Sequence, residues 1–322
     1  MTSRRKFLLA GGSLVAGATL AGCSDTILPT NSRARYADWV PAVDESTVQI
    51  NGQDPSVIAR SEGPLGEVQA GQSYGTPVEE LQYQVGVSAG EGTDAGYFHV
   101  FEGPFNESDL REGITQALEE FDQTATIRSD GSYREFDILT VDYETGTADA
   151  NSRAEDNLRL HIGLGTDNLI QSFERASVER GIDTYHGDEP LLFEEADGLS
   201  RVADDIGDPD FVNLSREPPS VIIPGKGPLE EDFATIAEVE SIGIGMTLED
   251  GAAGEWSFEF VTLYEAESQA DSLAGEYSDT FDSAEGFSEV AVETDGRAVS
   301  MQALYQPPGF DAVTPHLRPD LS

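Results

Sequence analysis

The sequence predicts an α+β fold, with largely antiparallel sheets that carry helices on one face. Three observations support this class. Alternating apolar and polar segments occur in pairs joined by glycine-rich turns, as in β-hairpins. Each pair is followed by a segment with apolar residues at helical spacing. The chain also resembles itself after a shift of 160 residues, which predicts a duplicated strand–strand–helix–strand–strand unit.

The elements of the first copy follow from local patterns. Upstream of it, a short strand precedes Asp54 and Pro55, a typical N-cap and first residue of a helix. The segments 81–87 and 98–101 then predict a hairpin. The helix after this hairpin has one apolar face, formed by Leu110, Ile114, Leu118 and Phe121. Asp130-Gly131 lies between two alternating segments and predicts a tight turn.

The second copy repeats this order. Segments 241–248 and 258–261 predict a hairpin, and the shift of 160 residues pairs Phe98 with Phe258. The following helix has an apolar face formed by Ala270, Leu273, Ala274, Tyr277 and Phe281. Asp295-Gly296 predicts the second tight turn.

Between the copies, the sequence predicts a buried strand, a turn at 163–168 and a helix. The inward face of this helix would contain Leu169, Ile170, Phe173 and Ala176. Gly163 and Gly165 resemble the start of a dinucleotide-binding fingerprint, but Asn168 replaces its third glycine. We therefore expect a tight turn, with Thr166 or Asp167 as the helix cap.

Five segments are expected along the chain. They are a signal peptide at 1–22, a flexible tether at 23–38, a first α+β unit at 39–217, a second α+β unit at 218–306 and a proline-rich tail at 307–322. The boundary between the two units is set by prolines and glycines at 217–228. A chain of 322 residues is compatible with one domain or two.

The N-terminal segment has the features of an export signal. Arg4 and Arg5 precede an apolar stretch from Phe7 to Leu20, which is shorter than the roughly 20 residues that span a membrane. Leu20-Ala21-Gly22-Cys23 has the pattern of a lipid-attachment site. Cys23 is the single cysteine, so no internal disulfide forms, and we expect it to carry a lipid.

The charge of the chain is strongly acidic. It has 61 acidic and 18 basic residues, a formal net charge of -43, and two lysines, Lys6 and Lys226. This balance argues against nucleic acid as a partner, since binding it requires basic surface. It is typical of halophilic proteins, because at about 1 M salt the screening length falls to roughly 3 Å and self-repulsion is largely removed. Membrane attachment would then depend on the lipid.

We predict no catalytic residue, no cofactor site and no metal site. The histidines His99, His161, His186 and His316 lack the spacing of a zinc site, and there is no G-x-S-x-G motif. The acidic cluster of Asp204, Asp205, Asp208 and Asp210 is interpreted as solvated surface. Asn106 and Asn213 begin N-glycosylation sequons, whose occupancy the sequence leaves open; Asn106 is also a candidate helix cap.

The chain resembles the uncharacterised lipoproteins of haloarchaea that carry twin-arginine export signals. The resemblance depends on residues 3–8, 20–23, 36–42 and 164–176. It implies export by the twin-arginine machinery and display on the extracellular side of the cell membrane, anchored through Cys23. It implies no activity.

We therefore expect a non-enzymatic surface lipoprotein with a binding or envelope role, although enzymatic activity stays open. One alternative is the substrate-binding lipoprotein of a transporter, which requires two α/β lobes around a cleft. A second alternative is an extracellular hydrolase with an unfamiliar site. The sequence does not identify a protein or small-molecule partner.

Overall fold

The fold was analysed in a computed structural model. It describes residues 34–43, 47–60, 74–90, 96–119, 124–144, 159–216, 239–249, 255–282 and 286–306. The predicted signal peptide, most of the predicted tether, the proline-rich boundary at 217–228 and the tail at 307–322 lie outside these residues.

Twelve strands in the described residues form one sheet, and every pairing in it is antiparallel. The strands are β1 (Val48–Gln53), β2 (Tyr83–Ala89), β3 (Gly96–Glu102), β4 (Thr124–Tyr133), β5 (Phe136–Glu144), β6 (Arg159–Leu164), β7 (Asn168–Ser172), β8 (Phe211–Arg216), β9 (Val239–Leu248), β10 (Trp256–Tyr264), β11 (Phe287–Asp295) and β12 (Ala298–Tyr305). Their order in the sheet is β11-β12-β10-β9-β8-β1-β2-β3-β7-β6-β5-β4.

Six α-helices accompany the sheet in the described part of the chain, which confirms the α+β class. They are α1 (Pro55–Arg60), α2 (Glu107–Glu119), α3 (Arg175–Tyr185), α4 (Leu192–Glu195), α5 (Asp197–Ile206) and α6 (Glu267–Asp282). Two 3₁₀ helices span Arg35–Trp39 and Val78–Glu80. The predicted cap of α1 is confirmed, because Asp54 Oδ1 accepts hydrogen bonds from the backbone N–H groups of Ser56 and Val57 at 2.9 and 3.2 Å.

Helices cover both faces of the sheet, so the prediction of helices on one face is wrong. Successive strand residues point to opposite faces. On β10, Val261 shares a core cluster with Val202 of α5, whereas Phe260 shares one with Tyr277 of α6. We call the face under α3 and α5 the first face, and the face under α2 and α6 the second face. Large apolar side chains of β10 point to both faces of the sheet, so each face needs a helix to bury them.

The same division holds at the other end of the sheet. On β3, Val100 shares a core cluster with Val178 of α3, and Phe101 shares one with Leu110 of α2. The first face is therefore covered at its centre by α3 and α5. The second face is covered at its two ends, by α2 over β3 to β6 and by α6 over β9 to β12.

The order of elements recurs in the chain, but the duplicated unit is not confirmed. β2, β3, α2, β4 and β5 are followed in the same order by β9, β10, α6, β11 and β12. In the first set, the β6–β7 hairpin lies between β3 and β5, whereas β10 pairs directly with β12. The predicted shift of 160 residues also pairs Phe98, on the first face, with Phe258, on the second.

One of the two predicted Asp-Gly turns is present. Gly296 and Arg297 form the turn between β11 and β12, next to Asp295. Asp130-Gly131 instead lies inside β4, where the register to β5 shifts between Ser129 and Ser132. The hairpin turn comes later, with Arg134 at a φ of 53°. An Asp-Gly pair tolerates a β-bulge as well as a turn, because glycine adopts positive φ at little cost.

The middle of the chain differs from the prediction. Residues 165–167 connect β6 to β7, so the turn is present but it joins two strands. Leu169 and Ile170 belong to β7, and α3 starts later, at Arg175. Phe173 is 47% exposed rather than inward. Leu169 and Ile170 lie on opposite faces of a strand that is covered on both sides. Two consecutive apolar residues also fit one turn of a helix, so the sequence pattern did not distinguish the strand from a helix.

Strands from both predicted α+β units belong to the same sheet. β1 pairs with β8 at the centre of this sheet, and the described residues belong to one compact unit. The boundary at 217–218 lies outside the described residues and stays a prediction. Residues 35–38, at the end of the predicted tether, lie in a 3₁₀ helix whose Tyr36 is fully buried.

Candidate functional site

The centre of the second face lies between α2 and α6 and is lined by uncharged side chains. Residues paired across neighbouring strands share a face. One continuous row runs from Phe101 of the α2 cluster through Gln84, Gln53 and Phe211 to Met246 of the α6 cluster. The two helices and the residues between them therefore lie on the same side of the sheet.

We define the central strip as the second-face residues of β8, β1, β2, β3 and β7. They are Phe211, Asn213, Ser215, Gln49, Asn51, Gln53, Gln84, Gly86, Ser88, Tyr97, His99, Phe101, Leu169 and Gln171. None of these fourteen residues is acidic or basic. Six of them are buried, and the other eight, which are exposed or partly exposed, also carry no charge although 25% of the residues in the chain are charged.

The strip is open to solvent at its middle. Gln49 and Asn51 of β1 are exposed, and Asn213 of β8 is partly exposed. Asn213 donates a hydrogen bond from Nδ2 to Asn51 Oδ1. At the edges, Ser215 and Gln171 are buried. An exposed surface made of amide groups both donates and accepts hydrogen bonds without carrying charge.

A row of aromatic rings runs along β3 beside the amides. Phe173, Tyr97, His99 and Phe101 follow one another, with ring centroids 5.7, 5.9 and 4.2 Å apart. Tyr74 continues the row at 5.3 Å from Phe101. The row begins at an exposed ring and ends in the α2 core, so its exposed end adds a flat apolar surface to the strip.

Hydrogen bonds connect four of these side chains in one network. Tyr74 donates to Gln171 Oε1 at 2.6 Å, and Gln171 in turn hydrogen-bonds the Tyr97 hydroxyl. The Tyr97 hydroxyl lies 2.7 Å from His99 Nδ1, and the tautomer of the imidazole decides which of the two groups donates. The hydrogen bond to Tyr97 thus uses Nδ1, and Nε2 is the other ring nitrogen of His99.

Burial lowers the pKa of His99 to about 4. The imidazole is therefore neutral near pH 7. Burial raises the pKa of Tyr97, and the hydrogen bond with Gln171 lowers it in part. The four side chains form a neutral network, which engages His99 through Nδ1.

Gly86 makes a depression in the strip next to His99. A Cβ at this position would lie 3.8 Å from His99 Nε2 and 4.0 Å from the Asn51 carbonyl oxygen, with no closer contact. A Cβ would therefore fit there in ordinary contact with His99, and the partly exposed surface is lower at Gly86 because the side chain is missing. Two residues earlier on the same face, Gln84 Oε1 is buried and has no hydrogen-bond partner among the described residues.

The two predicted glycosylation sites have different surroundings. Asn106 caps α2, because its Oδ1 accepts from the Asp109 backbone N–H at 3.0 Å and its Nδ2 donates to Asp109 Oδ2 at 2.6 Å. Asn213 lies in the central strip. The structure does not test whether either carries a glycan.

The other candidate groups do not form a metal-binding cluster in the described residues. No group of three or more histidine, cysteine or acidic side chains there could hold a metal ion. His99, His161 and His186 lie in separate places, and His316 lies outside the described residues. Asp208 accepts from the Arg35 backbone N–H, and Asp210 accepts from the Leu248 backbone N–H. These acids fix local structure.

Arg4, Arg5 and Cys23 also lie outside the described residues, so export and lipid attachment stay predictions. Among the helices that the structure describes, none is long and apolar enough to cross a membrane.

Sequence reasoning missed the central strip, although part of its pattern is visible. Gln49, Asn51 and Gln53 alternate with the buried Val48 and Ile50. This alternation indicates one polar face for β1. It does not show that β8 and β2 are the neighbours of β1, because those pairings join distant parts of the chain.

Fold and site together define an α+β protein with a neutral, amide-rich and aromatic surface on one antiparallel sheet. No family model and no curated protein matches the sequence. Solved structures of crystal forms I, III and IV of TP0453 are similar to it at 7, 8 and 8% identity. They cover 86, 88 and 87% of this chain and 95, 100 and 96% of their own chains, with TM-scores of 0.44, 0.48 and 0.45. These values are too low to carry a functional argument.

Proposed function

We propose that the chain is a non-enzymatic surface lipoprotein that binds an uncharged ligand on the central strip. Its export signal and Cys23 would place it on the extracellular side of the cell membrane, held by a lipid. The observation that carries the binding role is the composition of the strip. In a chain with 61 acidic residues, fourteen neighbouring positions on one face hold none.

A solvated surface without a ligand would not be expected to have this composition. On such a surface of this chain, acids would occur at their usual frequency, because they keep an acidic protein soluble. An uncharged patch with exposed amides and aromatic rings is instead typical of a surface that contacts another molecule. The fixed network behind it, from Tyr74 to His99, keeps the surface in one arrangement.

The two alternative functions have less support. A transporter-type binding protein requires two lobes around a cleft, whereas the described strands of both halves form a single sheet. A hydrolase requires a nucleophile with a base, or a pair of carboxylates, at one place. The central strip has no carboxylate, and its histidine is committed to Tyr97 through Nδ1.

The anchor is tested by Cys23→Ser. This variant should be released into the medium, whereas the unmodified chain stays with the membrane fraction. A matched control, Ser24→Ala, should leave the protein membrane-bound. Membrane retention of Cys23→Ser would contradict lipid attachment at this residue. A free thiol on Cys23 in mass spectrometry of the native protein would contradict it as well.

A further inference from the structure

The geometry of the central strip points to a saccharide as its ligand: a neutral glycan with one sugar ring seated in the depression at Gly86. This inference rests on the proposed function, since it names the ligand of the same surface. It is carried by three features described above, namely the exposed amides, the aromatic row and the position of His99 Nε2 beside Gly86. Each feature matches one part of a sugar.

The amides match the hydroxyl groups of a sugar. A hydroxyl donates one hydrogen bond and accepts two, and an amide side chain also does both. Gln49 and Asn51 are exposed on the same face, separated by one residue along β1, and Asn213 lies directly opposite Asn51. Neighbouring hydroxyls on one ring would therefore meet neighbouring amides, without any need for a charged group.

The aromatic row matches the apolar C–H face of a sugar ring. Phe173 is 47% exposed, and its ring lies 5.7 Å from that of the partly exposed Tyr97. Flat rings at a surface bind the C–H face of a ring by contact and by removing apolar area from water. Tyr97 is also held by hydrogen bonds, so little side-chain freedom is lost on binding.

His99 supplies a polar ring nitrogen between these two parts. A Cβ built at Gly86 would lie 3.8 Å from Nε2, and Nδ1 is already engaged with Tyr97. Gly86 lacks a side chain, so a sugar hydroxyl can approach Nε2, and a hydroxyl pairs with this nitrogen in either tautomer because it both donates and accepts. The depression thus offers one polar atom, with amides on one side and an aromatic ring on the other.

Other classes of ligand fit less well. An anion would find no cation among the fourteen residues of the strip, and a cation would find no carboxylate. An extended peptide binds by pairing its backbone with a strand edge. The strip lies at the centre of the sheet, where neighbouring strands already use these backbone groups. A purely apolar ligand would leave the exposed amides without partners.

The expected adaptation to salt favours the same class of ligand. At about 1 M salt the screening length is roughly 3 Å, so recognition between charges is weak. Hydrogen bonding and ring contact do not depend on charge in this way. A neutral glycan is therefore a ligand that a protein in concentrated salt can bind as well as in dilute buffer.

The test uses the full chain with Cys23→Ser, purified in molar NaCl. Four probes are titrated by calorimetry and thermal shift: neutral gluco-, manno- and chito-hexasaccharides, and a neutral Gly-Ser peptide. Gly86→Val fills the depression and removes no strip side chain. Valine suits a strand, and its Cβ would have ordinary contact distances, so we expect this variant to fold with a stability close to that of the parent. Gly275→Ala, in open space on α6, is the matched control.

We expect at least one hexasaccharide to bind, with affinity weakened about tenfold or more by Gly86→Val and by Tyr97→Ala. Gly275→Ala should bind like the parent, and the affinity should change little between 1 and 4 M NaCl. Absence of binding by all three hexasaccharides overturns the inference, as does binding that Gly86→Val leaves unchanged.

The outcomes separate this inference from the proposed function. If the peptide binds, and Gly86→Val abolishes its binding, the strip is a binding surface but its ligand is not a glycan. If Gly86→Val alters the binding of none of the probes that bind, the strip itself is refuted as the site.

Discussion

Two glycines within helices provide opposite predictions for the same substitution. Gly181 lies in α3, against the first face of the sheet, and a Cβ there would be 2.1 and 2.4 Å from ring atoms of Phe98. Normal carbon contacts are about 3.5–4.0 Å. Phe98 is buried in the same core cluster as Val178 and Ile182 of α3, so its ring has little room to move.

Gly181→Ala should therefore destabilise the protein. Forcing a methyl group into a packed core costs roughly 1–3 kcal/mol. The higher helix propensity of alanine offsets about 1 kcal/mol of this. We expect a net loss of up to about 2 kcal/mol in the free energy of unfolding.

Gly275→Ala is the control for this reasoning. Gly275 is exposed in α6, and a Cβ there would have no atom within 4 Å. Only the propensity difference remains, so this variant should gain about 0.5–1 kcal/mol.

Urea unfolding in molar NaCl, followed by circular dichroism, measures both changes from the shift in midpoint at constant slope. If Gly181→Ala raised the midpoint, the close packing of α3 on β3 would be refuted. If Gly275→Ala lowered it, the exposed position of that residue would be refuted.

Three further predictions concern pH, a buried hydroxyl pair and salt. Because burial lowers the pKa of His99 from 6.5 to about 4, the folded state binds fewer protons than the unfolded state between these values. Stability should thus fall as pH drops through this window, by up to about 3 kcal/mol. Urea midpoints at pH 7 and pH 5 measure this loss, and His99→Phe should remove the part that His99 causes. Equal losses in the parent and in His99→Phe would contradict the prediction. Tyr277→Phe removes a hydroxyl that hydrogen-bonds the Tyr264 hydroxyl in the α6 core. This loss should lower the free energy of unfolding by about 1–2 kcal/mol in the same assay, and an unchanged midpoint would contradict a stabilising hydrogen bond. Finally, a net charge of -43 predicts a higher melting temperature in molar NaCl than in dilute buffer, and the reverse order would rule out adaptation to salt.

Local elements of this fold could be predicted from the sequence because their causes are local. The helical spacing of Leu110 and Ile114 and the cap at Asp54 depend on residues within a few positions of each other, and all are confirmed. The hairpins β2–β3 and β9–β10 could also be predicted, since their alternating segments are adjacent in the chain.

The arrangement of these elements could not be predicted in the same way. Whether helices cover one face or two depends on what each side of a strand contacts, and on β10 both Val261 and Phe260 are apolar. The central strip could not be predicted either, because it also depends on how distant segments pair. Its Gln49 and Asn51 are visible in the sequence, but their neighbour Asn213 joins them only through the pairing of β1 with β8.

That pairing also determines when the surface can form during synthesis. Asn51 and Asn213 are 162 residues apart, so a nascent chain has no complete strip until nearly two thirds of it has left the ribosome. Until then, β1 has one unpaired edge, which is a template for aggregation. Such distant contacts slow folding. The dense negative charge of the chain would keep the waiting intermediates apart from one another.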